Sequence, residues 1–118
     1  MKREVKKKEL PRGVLTFSER VVRLARSIPK GRVTTYGRLA RAAGAGAMAS
    51  QSITSILGKA WERGVKDIPW HRIVYADGHI WVNAAHRSER MRLYKQEGIK
   101  LDKHDRIVDF ADRLFEFQ

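Results

Sequence analysis

Apolar positions in the first half of the chain recur at helical spacing. Val21, Val22, Leu24, Ala25 and Ile28 share one side of a segment that Ser18 is placed to cap and Pro29 to end, while Arg20, Arg23 and Arg26 line another side. Lys30-Gly31 reads as a turn, Val33-Thr34 as a short extended stretch, and Thr35 as the N-cap of a helix from Tyr36 to Ala43 closed by Gly44. The uncharged run from Gly44 to Ala49 predicts a flexible connection. Ser50 then opens a further helix in which Ile53, Ile56, Leu57, Ala60 and Trp61 fall on one face, leaving Gln51, Ser52, Thr54, Ser55 and Lys59 outward. A short helix, a small-residue turn and a longer amphipathic helix with a polar outer face predict a helix-turn-helix.

Beyond it the pattern shortens. Arg72–Val74 and His79–Val82 flank Tyr-Ala-Asp-Gly, whose Asp77-Gly78 pair is a turn signal, so a β-hairpin is expected. A hairpin after a helix-turn-helix is a winged helix. Ser88 opens a third substantial helix to Glu97, with Gly98 as its stop, and Ile107, Val108, Phe110, Ala111, Leu114 and Phe115 return to helical spacing in the tail. The fold class expected is α/β, a single winged-helix domain over residues 14–118 behind a basic flexible arm at residues 1–13.

Charge changes the picture. With 118 residues the chain is one domain, and 25 Lys and Arg against 13 Asp and Glu give a net +12, which argues for a polyanionic partner. Residues 1–13 carry six basic and two acidic side chains, residues 14–72 eleven and three, and residues 73–118 eight and eight. The excess therefore sits around the helix-turn-helix. No apolar run reaches membrane-span length and no apolar stretch follows the charged N-terminus, so an intracellular protein without a membrane partner is expected. There is no cysteine, which removes disulfides and thiolate metal sites. His71, His79, His86 and His104 are scattered without carboxylates at ligand spacing, so neither a metal nor any other cofactor is expected.

The most informative segment is Ile68-Pro69-Trp70-His71-Arg72-Ile73-Val74. It resembles the active-site run Pro-Cys-His-Arg-Val of the O6-alkylguanine-DNA alkyltransferases, with Trp70 standing at the cysteine. Two further segments match in order: Ile28 to Gly37 resembles the family's lead into its helix-turn-helix, and Lys95-Gln96-Glu97-Gly98-Ile99 its closing Glu-Gly pair. With tryptophan in place of cysteine, the chain is most similar to the alkyltransferase-like proteins, described as non-enzymatic sensors that flag O6-alkylguanine for nucleotide excision repair. An indole is not a thiolate nucleophile. The resemblance thus implies no catalytic residue, double-stranded DNA containing O6-alkylguanine as partner together with excision-repair proteins, and a monomer.

The resemblance also distributes roles. Trp70 and Tyr36 would line a pocket for the extruded base, with His71, Trp81 and Asn83 around it; without the family context, a tryptophan at position 70 reads more readily as a core residue. Tyr36, in Thr-Thr-Tyr-Gly, matches the tyrosine that turns the target phosphate, and it too would suit a half-buried packing position. Aligning Ile53 with the family's valine places Gln51 at the arginine that fills the vacated base stack. Glutamine keeps hydrogen bonding there but loses charge and stacking plane. Thr35, Tyr36, Gln51, Ser52, Thr54, Ser55 and Lys59 are the expected DNA-facing set. His71, Arg72 and Glu97 match a relay that, with no sulfur to activate, is expected to orient the pocket structurally.

Two other readings stay open on the sequence alone. One is an enzyme that excises a base or cuts a strand using His71, Glu97 or Asp67 on a flipped nucleotide. The other is a sequence-specific winged-helix regulator.

Overall fold

Thr16, two residues ahead of the expected Ser18, opens the first helix. In a computed structural model of the protein, which describes residues 14–117, α1 runs Phe17–Arg26. The Thr16 hydroxyl accepts the Glu19 N–H at 3.1 Å, and the Glu19 carboxylate accepts the Thr16 N–H at 2.8 Å. This reciprocal box satisfies two donors that the helix end would otherwise leave unpaired. The basic arm expected at residues 1–13 lies outside the described residues.

β1 (Thr34–Thr35) runs directly into α2 (Tyr36–Ala42), with Thr35 extended and its hydroxyl accepting the Arg38 N–H at 3.1 Å. The uncharged run after Gly44, expected as a connection without regular structure, has a defined turn. It winds into a 3₁₀ turn, Ala47–Ser52, in which the Ser52 hydroxyl donates to the Ala49 carbonyl at 2.8 Å. That turn delays α3 to Ile53–Glu62 and takes from Ser50 the capping role expected of it. α1, α2 and α3 pack about Val21, Ala25, Leu39, Ala40, Ile53, Leu57 and Ala60, all 0% exposed. Arg20 locks α1 to the end of α2, its Nε donating to the Ala43 carbonyl at 2.6 Å. Trp61 leaves the expected apolar face and is 39% exposed.

β2 (Ile73–Val74) pairs with β1 in parallel, Thr34 opposite Ile73 and Thr35 opposite Val74. The hairpin expected here is only a turn. Tyr75 N–H donates to His79 O at 3.0 Å and Gly78 N–H to Tyr75 O at 2.9 Å, but the returning arm bridges to the C-terminal region, His79 against Arg106. The cause is burial. Ile80 is drawn into a second core with Val33, Val74, Tyr94, Ile99 and Ile107, below the short sheet and away from a hairpin partner. α4 (Arg87–Gln96) roofs this core and ends at Gly98, whose φ of +73° is the left-handed turn expected of it.

The tail departs from the expected helix. Only α5 (Phe110–Arg113) is helical, because the segment is claimed by extended pairing on either side. Leu101 bridges Ile107, and Val33 both donates to Arg113 O at 2.9 Å and accepts from Phe115 N–H at 2.8 Å. No helix among the described residues is long and apolar enough to cross a membrane.

Candidate nucleic-acid interface

The register of the two short strands builds one wall of a cavity. Because Thr35 faces Val74, the next residues, Tyr36 and Tyr75, emerge side by side with ring centroids 5.7 Å apart. Trp70, on the 3₁₀ turn Trp70–Arg72 that feeds β2, adds an indole, and Trp81 supplies another from the far side of the turn. Ser50 and Gln51 on the 3₁₀ turn Ala47–Ser52 and Thr54 in the first turn of α3 close the cavity on one side, and Arg90 from α4 on another. The volume of this partly open cavity is about 430 Å³. Arg90 Nη1 donates to the Trp81 carbonyl at 3.0 Å, which holds the exposed end of this wall.

Within the cavity Tyr36 is kept a neutral phenol. Burial, reinforced by the neighbouring Tyr75, raises its pKa above the ordinary 10.0, so its hydroxyl remains a hydrogen-bond donor at neutral pH.

Behind Trp70 sits a buried polar hub. Glu97 accepts the Gly31 N–H at 2.9 Å, contacts His71 Nε2 at 2.7 Å and receives Arg72 Nη2 at 2.7 Å. Arg72 Nη1 also donates to the Ile28 carbonyl at 2.8 Å, and the Tyr94 hydroxyl to the His71 carbonyl at 2.5 Å. Segments 28–37, 68–74 and 95–99, far apart in sequence, are thereby tied to one carboxylate. Burial alone would raise the Glu97 pKa, but hydrogen bonds from Arg72, Gly31 and His71 overcome it and hold the value at about 2. For His71, burial dominates over the attraction of Glu97 and lowers the pKa from 6.5.

The sequence expectations divide on this geometry. Tyr36, Gln51, Thr54, Trp70 and Trp81 are brought together in the cavity wall. His71 is not on that wall. Its ring is turned inward, edge-on to Tyr94 at 5.7 Å, and belongs with Arg72 and Glu97 as the structural relay. Asn83 is also absent from the wall, because its carboxamide oxygen caps the 3₁₀ turn Ala84–His86 by accepting the His86 N–H at 3.1 Å. Thr35 is 6% exposed and committed to capping α2, so it is not a free DNA-facing hydroxyl. Ser52, Ser55 and Lys59 are exposed outside the cavity.

Ser50, Tyr75 and Arg90 were not anticipated. Tyr75 follows from the strand register, which two-residue strands do not announce in sequence. Arg90 had a signal: it precedes Tyr94 and Glu97 by four and seven residues, one helical face, so placing Glu97 also places Arg90. A larger hollow of about 650 Å³ lies along α1, but it is more open, and its walls include the Arg26–Asp67 ion pair. Among the described residues no group of three or more His, Cys, Asp or Glu is placed to hold a metal ion.

Residues 16–99 match the family model for the 6-O-methylguanine DNA methyltransferase DNA-binding domain. The chain belongs to this family, as an alkyltransferase-like protein. It is 30% identical over 92 residues to the DNA base-flipping protein of Escherichia coli K12, spanning 78% of this chain and 69% of that protein, and equally so to the DNA base-flipping protein of Shigella flexneri. Its fold matches that of S. pombe Atl1 in complex with damaged DNA containing O6-carboxymethylguanine, with TM-score 0.66 and 21% identity over 85% of this chain and 94% of that one. A second structure, of S. pombe ATL in complex with DNA, matches at TM-score 0.65 and 23% identity with the same coverage. These likenesses bear out the winged-helix-like fold class. In this alkyltransferase-like chain, Trp70 of the Pro69-Trp70-His71-Arg72 segment presents its indole to the cavity.

Proposed function

We propose that this protein is a non-enzymatic sensor that binds O6-alkylguanine in duplex DNA by everting the base into the cavity between Trp70, Tyr36 and Trp81. The observation that carries the reading is the cavity itself. Its volume of about 430 Å³ lies within the usual range for small-ligand sites, about 300–1,000 Å³, and aromatic faces line it where the family's nucleophile would stand. The relatives named as base-flipping proteins support the same action. Gln51, on the cavity rim, takes the part of the group that fills the vacated stack.

The placement of the candidate catalytic groups favours binding over catalysis. The cavity wall contains no carboxylate or imidazole, His71 and Glu97 are bound to each other behind it, and Asp67 is paired with Arg26 at 2.9 Å on another face. Binding without repair leaves the lesion in place, so the complex serves as a flag, and nucleotide excision repair proteins are the partners that would act on it.

Titration of matched duplexes with and without O6-methylguanine, followed by intact-mass analysis, tests this. The reading expects tighter binding to the damaged duplex and protein of unchanged mass. Equal binding, or a protein carrying the methyl group, contradicts it. The excision-repair step is checked separately by adding the protein to purified incision factors and measuring cutting of the damaged strand, which is expected to rise.

A further inference from the structure

Of the protein's three tryptophans, Trp70 and Trp81 line the cavity and Trp61 does not. Trp61 nonetheless reaches Trp70. It lies two helical turns beyond Thr54 on the same side of α3, and its ring meets that of Trp70 edge to face, with centroids 6.5 Å apart and planes at 61°. The local chain is arranged to keep it there. Gly64, at φ +109°, reverses the backbone after α3, the Val65 N–H returns to the Ala60 carbonyl at 3.0 Å, and Lys66 Nζ is thereby set 4.3 Å above the Trp61 ring.

This arrangement leaves a large indole 39% exposed, which core packing does not explain. Trp70 itself stands on a single 3₁₀ turn with an open cavity on one side. An indole free to rotate there would lose that freedom on binding a base, and the loss would weaken the complex. Resting on the proposed lesion-binding reading, we infer that Trp61 is a positioning residue: clamped by Lys66, it fixes the plane of Trp70 against which the everted base stacks. It acts through Trp70 and touches no base.

The test compares wild type, Trp61→Ala, Trp61→Phe and Trp70→Ala by fluorescence titration of duplexes with and without O6-methylguanine. Trp61→Ala is expected to reduce the damaged-to-undamaged affinity ratio by about 2- to 10-fold, the size of an aromatic pair interaction, while binding to undamaged duplex stays within about twofold. Trp61→Phe, which keeps an aromatic edge, is expected to recover most of the ratio. Near-UV circular dichroism is expected to lose the indole–indole signal in Trp61→Ala with an unchanged far-UV spectrum. If Trp70→Ala collapses the ratio and Trp61→Ala leaves it untouched, the positioning role is overturned and the lesion reading stands. If Trp61→Ala weakens both duplexes equally, Trp61 contacts DNA directly and the inference is likewise overturned. If Trp70→Ala leaves the ratio unchanged, both fall together.

Discussion

Glu97 concentrates more structural consequence than any residue of the cavity wall. Its side chain is 5% exposed and that of its partner Arg72 is 14% exposed, so neutralising it strands a guanidinium with little water to replace the lost partner. Glu97→Gln is therefore expected to lower stability by roughly 3–5 kcal/mol, measured by urea unfolding. The same hub sets the acid limb of stability. His71 has a folded pKa below its ordinary 6.5, so the unfolded chain takes the proton first; this contribution is complete above about 6.5 and declines as pH falls through that value. Glu97, depressed from 4.5 to about 2, contributes fully above 4.5 and loses its contribution as pH falls between those values. A thermal-melt series from pH 8 to 2 is expected to be flat at first, then to decline in two stages, and Glu97→Gln is expected to remove the lower one. At this scale the sequence was a good guide to chemistry and a poorer one to orientation. Trp70, Tyr36 and Gln51 reach the cavity, but His71 beside Trp70 points the other way, because successive residues of a 3₁₀ turn face different directions.

Helices were readable in sequence because their apolar spacing repeats several times, whereas their caps and the paired segments depend on distant partners. α1, α2 and α4 lie within two residues of the expected bounds at most ends, yet the cap of α1 is Thr16. Removing the hydroxyl in Thr16→Ala or Thr35→Ala is expected to cost about 1 kcal/mol each by chemical denaturation, with Thr35→Ala also loosening the start of α2 where Tyr36 is anchored. The turn between β2 and His79 was recognised and its pairing was not. Two-residue strands carry no alternation to reveal a register, and the arm from His79 is claimed by Arg106, 27 positions further along the chain. Gly78 marks how closely the C-terminal region packs here. Its φ is +88°, and an added Cβ would sit 3.1 Å from the Phe110 ring. Gly78→Ala is expected to destabilise by about 1–3 kcal/mol, read as a lowered urea midpoint, since both the backbone conformation and the contact resist it.

For the whole molecule, a net charge of +12 makes association with DNA a counterion-release process, with a slope of log affinity against log salt of about −0.9 for each phosphate neutralised. That slope is expected to be similar for damaged and undamaged duplexes, because the cavity wall contributes only one formal charge, Arg90, and discrimination comes from stacking. In the proposed reading, charge thus accounts for attraction and the aromatic cavity for choice. The sequence disclosed the first through composition and most of the second through three separated motifs. It could not disclose that those motifs converge on one carboxylate, because convergence is a property of the fold. The central claim, that a guanine lesion is read by stacking in the Trp70 cavity, is tested most directly by measuring affinities of wild type and Trp70→Ala for matched duplexes with and without O6-methylguanine. The account predicts that Trp70→Ala weakens damaged-duplex binding by about 1–3 kcal/mol and leaves undamaged binding nearly unchanged. Equal losses on the two duplexes would contradict it and make the indole a packing residue of a general DNA binder.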